Sequence, residues 1–229
     1  LRVAMAKDDD KRLAAEAAVA EVADGMLVGL GTGSTAAFAI AALGRRIAEG
    51  LRVEAVATSE ATAAAARAVG VVVRNFSTIA TLDLTIDGAD EIDSRLFAIK
   101  GAGGAMLREK AVAAASRRMV VIADGSKRVA AIGAAKVPVE VLPFASASVV
   151  AALERLGAAV AVRAGYVTDN GNIIADCHFP AMPDPRALAA RIAAIPGALG
   201  HGLFLDEVDA AYIAADGNVT RLERDGSSG

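Results

Sequence analysis

The alternation of short runs, hydrophobic on both faces, with amphipathic helical stretches constrains this chain more than any other feature. Residues 26–30, 52–57, 71–74, 83–86 and 119–123 each read as a strand. Residues 11–23, 34–47, 59–69 and 105–116 carry apolar side chains at helical spacing. In the first of these helices Val19 falls off the apolar face. Strands that are apolar on both faces must be covered on both, which predicts a parallel sheet with helices above and below. Ligands of such sheets sit beyond the carboxyl ends of the strands. The polar clusters fall at those ends: Gly31 to Thr35, Thr58-Ser59, Asp87 to Glu91 and Asp124 to Lys127. Four strand ends direct chemistry toward one rim.

From about Lys136 the texture changes. Residues 137–141 read as a strand, 146–156 as a helix and 158–163 as a strand. Asp169-Asn170-Gly171-Asn172 is a hairpin turn signal between Tyr166-Val167 and Ile173-Ile174-Ala175. Residues 185–195 read as a helix with proline near its first position. After Ile195-Pro196-Gly197, residues 208–214 read as a strand returning to the main sheet. The expected fold is α/β: a Rossmann-like catalytic domain over 1–135 and 205–229, with helices on both faces of a parallel sheet. A small α+β, ferredoxin-like insert over 136–204 would serve as lid or oligomerisation domain.

Composition excludes several classes of function. The 229 residues are 55% hydrophobic and 22% charged, enough for a sizeable core. The formal net charge is −3 with signs interspersed, and aromatics are 3% with no Trp, so neither a basic stripe nor a base-stacking platform for nucleic acid exists. The apolar excess is alanine, and Arg, Glu or Gly interrupts each run before the roughly 18–20 residues a membrane span requires. Residues 7–12 are charged throughout, unlike a signal peptide. The single cysteine, Cys177, lies in a strand-like run and predicts a buried thiol, a reducing compartment and a cytoplasmic location. With only His178 and His201 beside it, no His/Cys metal cluster can be assembled. A small-molecule partner is what remains. The residues before Met5 and the closing Gly226-Ser227-Ser228-Gly229 read as frayed or appended ends.

Three motifs and a turn lysine carry the chemistry. In Gly29-Leu30-Gly31-Thr32-Gly33-Ser34-Thr35, glycines allow close backbone approach to an anion at a helix N-terminus. Ser34 occupies the third glycine position of a dinucleotide fingerprint and no acid ends the next strand, which disfavours a nucleotide-dependent oxidoreductase. The hydroxyls of Thr32, Ser34 and Thr35 suit a phosphate monoester, although an ordinary turn capped by Ser34 would look the same. Asp87-Gly88-Ala89-Asp90-Glu91 places three carboxylates within five residues, where mutual repulsion spreads their pKa values as acid/base work requires. A solvated acidic turn is the plainer alternative. Lys100-Gly101-Ala102-Gly103-Gly104 puts a lysine and exposed N–H groups before a helix bearing Glu109. Those N–H groups could hold a developing oxyanion, and Glu109 could act as a base, although a lone helical Glu is more often an ion-pair residue. Lys127, in Asp124-Gly125-Ser126-Lys127, faces the same rim or solvent.

Together these segments, in this order, resemble the type A ribose-5-phosphate isomerases over residues 11–213, including Ile195-Pro196-Gly197 and Gly202-Leu203-Phe204. The resemblance implies interconversion of ribose 5-phosphate and ribulose 5-phosphate through an enediolate, without cofactor or metal, by a homodimer or homotetramer. It implies that Glu109 is the proton-shuttling base and that Asp87 and Asp90 handle ring opening and substrate hydroxyls. Lys11 would hold the phosphate. Thr32, Gly33, Ser34, Thr35, Gly88 and Ala89 would bind substrate, and Lys100, Gly101, Ala102, Gly103 and Lys127 would bind it or stabilise the enediolate. Two departures stand out. Ala102 replaces a glycine common in the family, which demands a negative φ there. His201 stands where asparagine is frequent and reads as a lone surface histidine. A non-catalytic sugar-phosphate sensor of related fold is the alternative, but it would not need Glu109, Asp87, Asp90 and Lys100 together.

Overall fold

The computed structural model describes residues 2–224, with side chains described from residue 7 onward. The closing Gly226 to Gly229 therefore lies outside the described residues. In chain order the elements are α1 (Arg2–Val19), β1 (Leu27–Leu30), α2 (Ser34–Ala48), β2 (Glu54–Ala57), α3 (Glu60–Ala68), β3 (Val72–Val73) and β4 (Leu84–Gly88). Next come the short strands β5 (Glu91–Ile92) and β6 (Ala98–Ile99), then α4 (Met106–Ala114) and β7 (Met119–Asp124). After them follow β8 (Val137–Val141), α5 (Ser146–Arg155), β9 (Ala159–Val162), β10 (Ile173–His178), α6 (Pro185–Ala193) and β11 (Ala198–His201). The chain closes with β12 (Leu203–Phe204), β13 (Ala210–Ala215) and β14 (Asn218–Glu223).

The main sheet has the order β14-β13-β7-β4-β1-β2-β3, and every pairing is parallel except β13 with β14. Successive strand residues face opposite sides, and β7 shows both sides covered. Val120 and Ile122 join the core under α1 and α2, whereas Met119 and Val121 pack with Met106 and Ala113 of α4. Ala36, Ala39, Ile40 and Leu43 make the buried stripe of α2 at helical spacing.

A second sheet, β11-β8-β10-β9, is antiparallel. With α5 and α6 it encloses its own core around Val137, Val139, Val149, Leu153, Ala175 and Ile192. A small third sheet, β12-β6-β5, joins the two.

Four expectations need correction. The first helix does not start after the Asp run but passes through it, because Asp8 and Asp9 pair one turn on with Lys11 and Arg12. Val19 is not off-face; it is buried in the core with Ala15 and Val22. Tyr166-Val167 does not form a strand: the Asp169-Gly171 turn exists, closed by Thr168 and Asn172, but β10 pairs with Ala159–Val162 across a longer loop. The expected elements end at residue 214, whereas the structure adds β14 beyond the Asp216-Gly217 hairpin turn.

The two ends of the described chain meet. Helix α1 lies against β13 and β14, and Asp10 accepts the Gly217 N–H at 3.0 Å. Glu21, just beyond α1, pairs with Arg118 at 2.7 Å and accepts the Tyr212 hydroxyl at 2.6 Å.

Candidate active site

Where β1 ends, the backbone passes so close to β4 that only glycine fits. A Cβ at Gly31 would stand 1.9 Å from Asp87 Oδ1. Gly33 is the N-cap of α2 and offers no side-chain cap, so the first N–H groups of the helix stay open to an anion. Ser34 and Thr35 begin that helix, and Lys11 Nζ reaches across from α1 to Ser34 Oγ at 3.3 Å. Thr32 differs from its neighbours: its hydroxyl is committed to Thr58 (2.8 Å), Ser59 (2.9 Å) and Thr62 (3.2 Å). That cluster ties the turn to the β2–α3 connection and leaves Ser34 and Thr35 as the hydroxyls at the anion seat.

Beside this seat lies a buried charge cluster. Lys100 Nζ stands 2.9 Å from Asp87 Oδ2 and 3.2 Å from Glu109 Oε2, and donates to Gly88 O. All three side chains are almost fully buried. Breaking such a buried pair typically costs ~3–5 kcal/mol. Burial opposes the charge on Lys100, but the two carboxylates outweigh it and hold its pKa up. Glu109 is pushed up to about 8, first by burial and then by the Asp87 charge. Asp87 is also raised, by burial, against the pull of Lys100 and the Gly88 N–H. Apart from the ammonium, neither Asp87 Oδ2 nor Glu109 Oε2 has a hydrogen-bond partner.

The crowded carboxylates are thus not those adjacent in sequence. Glu91 turns to the other side of the chain, where it accepts the Gly133 and Ala135 N–H groups at 2.8 Å each. Asp90 accepts the Ala102 N–H at 3.0 Å. Glu109, a helical turn from the glycine loop, is the true neighbour of Asp87.

In that loop Gly101 and Gly104 take φ of 99° and 82°, whereas the positive-φ non-glycines among the described residues are Leu96 and Asp216 alone. Ala102 therefore sits in ordinary backbone, and its methyl is accommodated.

These pieces enclose a cavity of about 270 Å³. Thr32, Gly33, Ser34, Thr35, Gly88, Ala89, Asp90, Lys100, Gly101, Ala102, Gly103, Glu109 and Lys127 line it. Asp87 lies beneath the wall, and Lys11 stands beside it at Ser34. Of the residues the sequence groups at this rim, Glu91 alone among the three clustered carboxylates faces away, toward the Gly133 and Ala135 amides. Among the described residues, no group of three or more His, Cys, Asp or Glu side chains is arranged to hold a metal ion.

Residues 54–218 match the family model for ribose 5-phosphate isomerase A (phosphoriboisomerase A). The chain belongs to this family. It is 56% identical over 209 residues to ribose-5-phosphate isomerase A of Sphingopyxis alaskensis, covering 90% of this chain and 92% of that protein. With the enzyme of Roseiflexus castenholzii it shares 48% over 221 residues, covering 93% and 94%. The solved ribose 5-phosphate isomerase A of Neisseria gonorrhoeae superposes with a TM-score of 0.91 at 36% identity, over 95% of this chain and 97% of that one. A D-ribose-5-phosphate isomerase in complex with phospho-erythronic acid superposes with a TM-score of 0.92 at 32% identity, over 95% and 99%. The reaction of this chain is the interconversion of ribose 5-phosphate and ribulose 5-phosphate.

Two features of this isomerase escaped the sequence reading. His201 is not a surface residue: it is buried, its Nδ1 accepts the Leu203 N–H at 3.2 Å, and burial together with the nearby Lys110 charge pushes its pKa down to about 4. Arg163 and Tyr166 reach the back of the glycine loop from the β9–β10 connection. No local pattern announces them, because their partners lie some sixty residues away. Cys177 is buried as expected, and burial pushes its thiol up to about 12. No described helix is long and apolar enough to cross a membrane.

Proposed function

We propose that Glu109 is the base that carries the proton between C2 and C1, and that Lys100 and the glycine loop stabilise the enediolate. The observation that carries this reading is the single buried ammonium of Lys100 between Asp87 and Glu109 at the cavity wall. The open N-terminus of α2, with Ser34, Thr35 and Lys11, seats the phosphate of the substrate, and Lys127 adds charge at the same cavity. Asp90 and Asp87 attend the sugar hydroxyls and open the ring. In the open chain, the Glu109 carboxylate takes the C2 proton, and the electron pair moves to form the C1–C2 double bond. The aldehyde oxygen becomes an oxyanion facing Lys100 and the loop N–H groups. Glu109 returns the proton to C1 on the same face, while a hydroxyl proton passes from O2 to O1. A base whose pKa is lifted toward the operating pH serves both directions.

Phospho-erythronic acid carries a carboxylate where the enediolate carries its oxygens, and we expect it to occupy this cavity as a competitive inhibitor. The experiment is ketopentose formation from ribose 5-phosphate in deuterated water, followed by absorbance and by deuterium at the transferred position. Turnover with partial exchange supports a single exchanging base. Turnover unaffected by Glu109→Gln places the base elsewhere.

We also read the chain as cytoplasmic and as a homodimer or homotetramer, with 136–204 as the lid or assembly lobe. The buried, lone thiol supports the first. Phe144, 96% exposed, with the partly exposed Leu142 and Leu199 at the β8–β11 end, supports the second. Mass in solution tests the assembly.

A further inference from the structure

Two side chains outside the cavity hold its glycine loop from behind. Arg163, just after β9, donates Nη1 to Ala102 O at 2.9 Å and Nη2 to Gly101 O at 3.2 Å. The same guanidinium is anchored on Asp176 of β10, with Nε to Oδ2 at 2.7 Å and Nη2 to Oδ1 at 2.8 Å. The Tyr166 hydroxyl donates to Gly103 O at 3.1 Å. Three successive carbonyls are drawn toward one short segment of the β9–β10 connection.

The peptide bond transmits this hold to the other side of the loop. A trans peptide is planar, with its N–H opposed to its C=O. Fixing the Ala102 carbonyl therefore aims the Gly103 N–H. That N–H has no protein acceptor among the described residues, and Gly103 lines the cavity. Fixing the Gly101 carbonyl aims the Ala102 N–H, which donates to Asp90 Oδ2. One guanidinium thus orients a free donor at the cavity wall and the carboxylate beside it. Only arginine suits the place: its planar fork meets two carbonyls and a bidentate carboxylate at once, which a lysine ammonium cannot.

We propose that Arg163 is a positioning residue for the isomerisation, setting the glycine loop so that the Gly103 N–H meets the enediolate oxygen. Arg163 touches no reacting atom and acts through the loop. The inference rests on the enediolate reading above. Glu109→Gln tests that reading separately, since it removes proton transfer and leaves the loop untouched.

The test compares Arg163→Lys with the unaltered enzyme in three measurements: kcat and KM for ribose 5-phosphate, inhibition by phospho-erythronic acid, and inhibition by inorganic phosphate. A misaimed donor should lower kcat by ~10–100-fold, with KM changed less than about threefold. Inhibition by phospho-erythronic acid should weaken in proportion to kcat/KM, whereas inhibition by phosphate should stay the same. A merely structural role would lower Tm and the active fraction without separating the two inhibitors. Should Arg163→Lys not fold, Asp176→Asn keeps the guanidinium and loosens its anchor, and must show the same separation at smaller size. An unchanged kcat, or equal weakening of both inhibitors in the folded variant, overturns the proposal.

Discussion

Asp87 and Glu109 share one cation. Lys100 Nζ lies 2.9 Å from the first and 3.2 Å from the second, with all three groups buried. Two negative charges against one positive leave an excess that the site relieves by keeping a proton on a carboxylate. Burial raises both carboxylates, Glu109 to about 8, so the pair holds that proton between them. Glu109, at the cavity wall, is the member of the pair that faces the substrate.

Glu109→Gln keeps the size and hydrogen-bonding capacity of the side chain and removes the base. We expect kcat to fall ~10²–10⁴-fold, the usual contribution of general-base catalysis, with KM little changed. Exchange of the substrate C2 proton with solvent should fall in parallel. Retention of most of the turnover would transfer the role to Asp87.

The same group sets opposite pH trends for activity and stability. The base must be deprotonated, so kcat/KM should rise with pH toward a plateau above about 8. A carboxyl raised on folding binds protons more tightly in the folded state. The stability it confers is complete below its ordinary 4.5 and is lost as the pH climbs through about 8. Tm should therefore fall from pH 5 to pH 9 more steeply in the unaltered protein than in Glu109→Gln. Parallel curves would contradict the raised pKa.

Gly31→Ala would place a methyl on the Asp87 carboxylate, at 1.9 Å from Oδ1. Either the β1–α2 turn or Asp87 must shift. A displacement of that size at a reacting group costs ~10²-fold or more in kcat. Steady-state kinetics beside a melting curve separates this from simple unfolding, and an unimpaired variant would show that Asp87 is free to move.

Phosphate binding should be separable from the chemistry. Lys11→Ala and Ser34→Ala each remove a contact to the anion seat worth ~1–3 kcal/mol, which is roughly 5–150-fold in KM for ribose 5-phosphate. Unphosphorylated ribose should be a poor substrate of every variant. Equal turnover of ribose and ribose 5-phosphate by the unaltered protein would refute the assignment of this seat.

Isomerisation should proceed without added metal and survive EDTA, since the carboxylates at the site are engaged by Lys100 and by backbone N–H groups. Loss of activity in EDTA, restored by Mg²⁺ or Zn²⁺, would overturn the acid/base reading of Asp87 and Glu109.

The parallel sheet and its reactive rim were legible because their signals are local. Each apolar run ends in a polar cluster, and Gly31 to Thr35, Asp87 to Asp90, Lys100 to Gly103 and Lys127 follow strands in the chain as they do in space. What sequence could not convey was the direction of individual side chains. Glu91 belongs by spacing with Asp87 and Asp90, yet the backbone beyond β4 sends it to the Gly133 and Ala135 amides. Thr32 belongs with Ser34 and Thr35, yet its hydroxyl is taken by Thr58, Ser59 and Thr62. His201 looks like a surface residue because its neighbours Gly200 and Gly202 hide the strand that buries it. Arg163 acts through tertiary contacts alone.

The meeting of α1 with β13 and β14 has a consequence for how the protein comes into being. Every residue lining the cavity has been synthesised once the chain reaches Lys127, but Lys11 rides on a helix whose seat, begun by α2 and β7, is completed only by residues 210–223. Until those last strands arrive, β7 presents an unpaired edge and part of the seat of α1 is missing. Such distant closure slows folding and exposes the half-made sheet to wrong partners. Nascent chains cut short before residue 210 should therefore be clients of chaperones rather than slow enzymes.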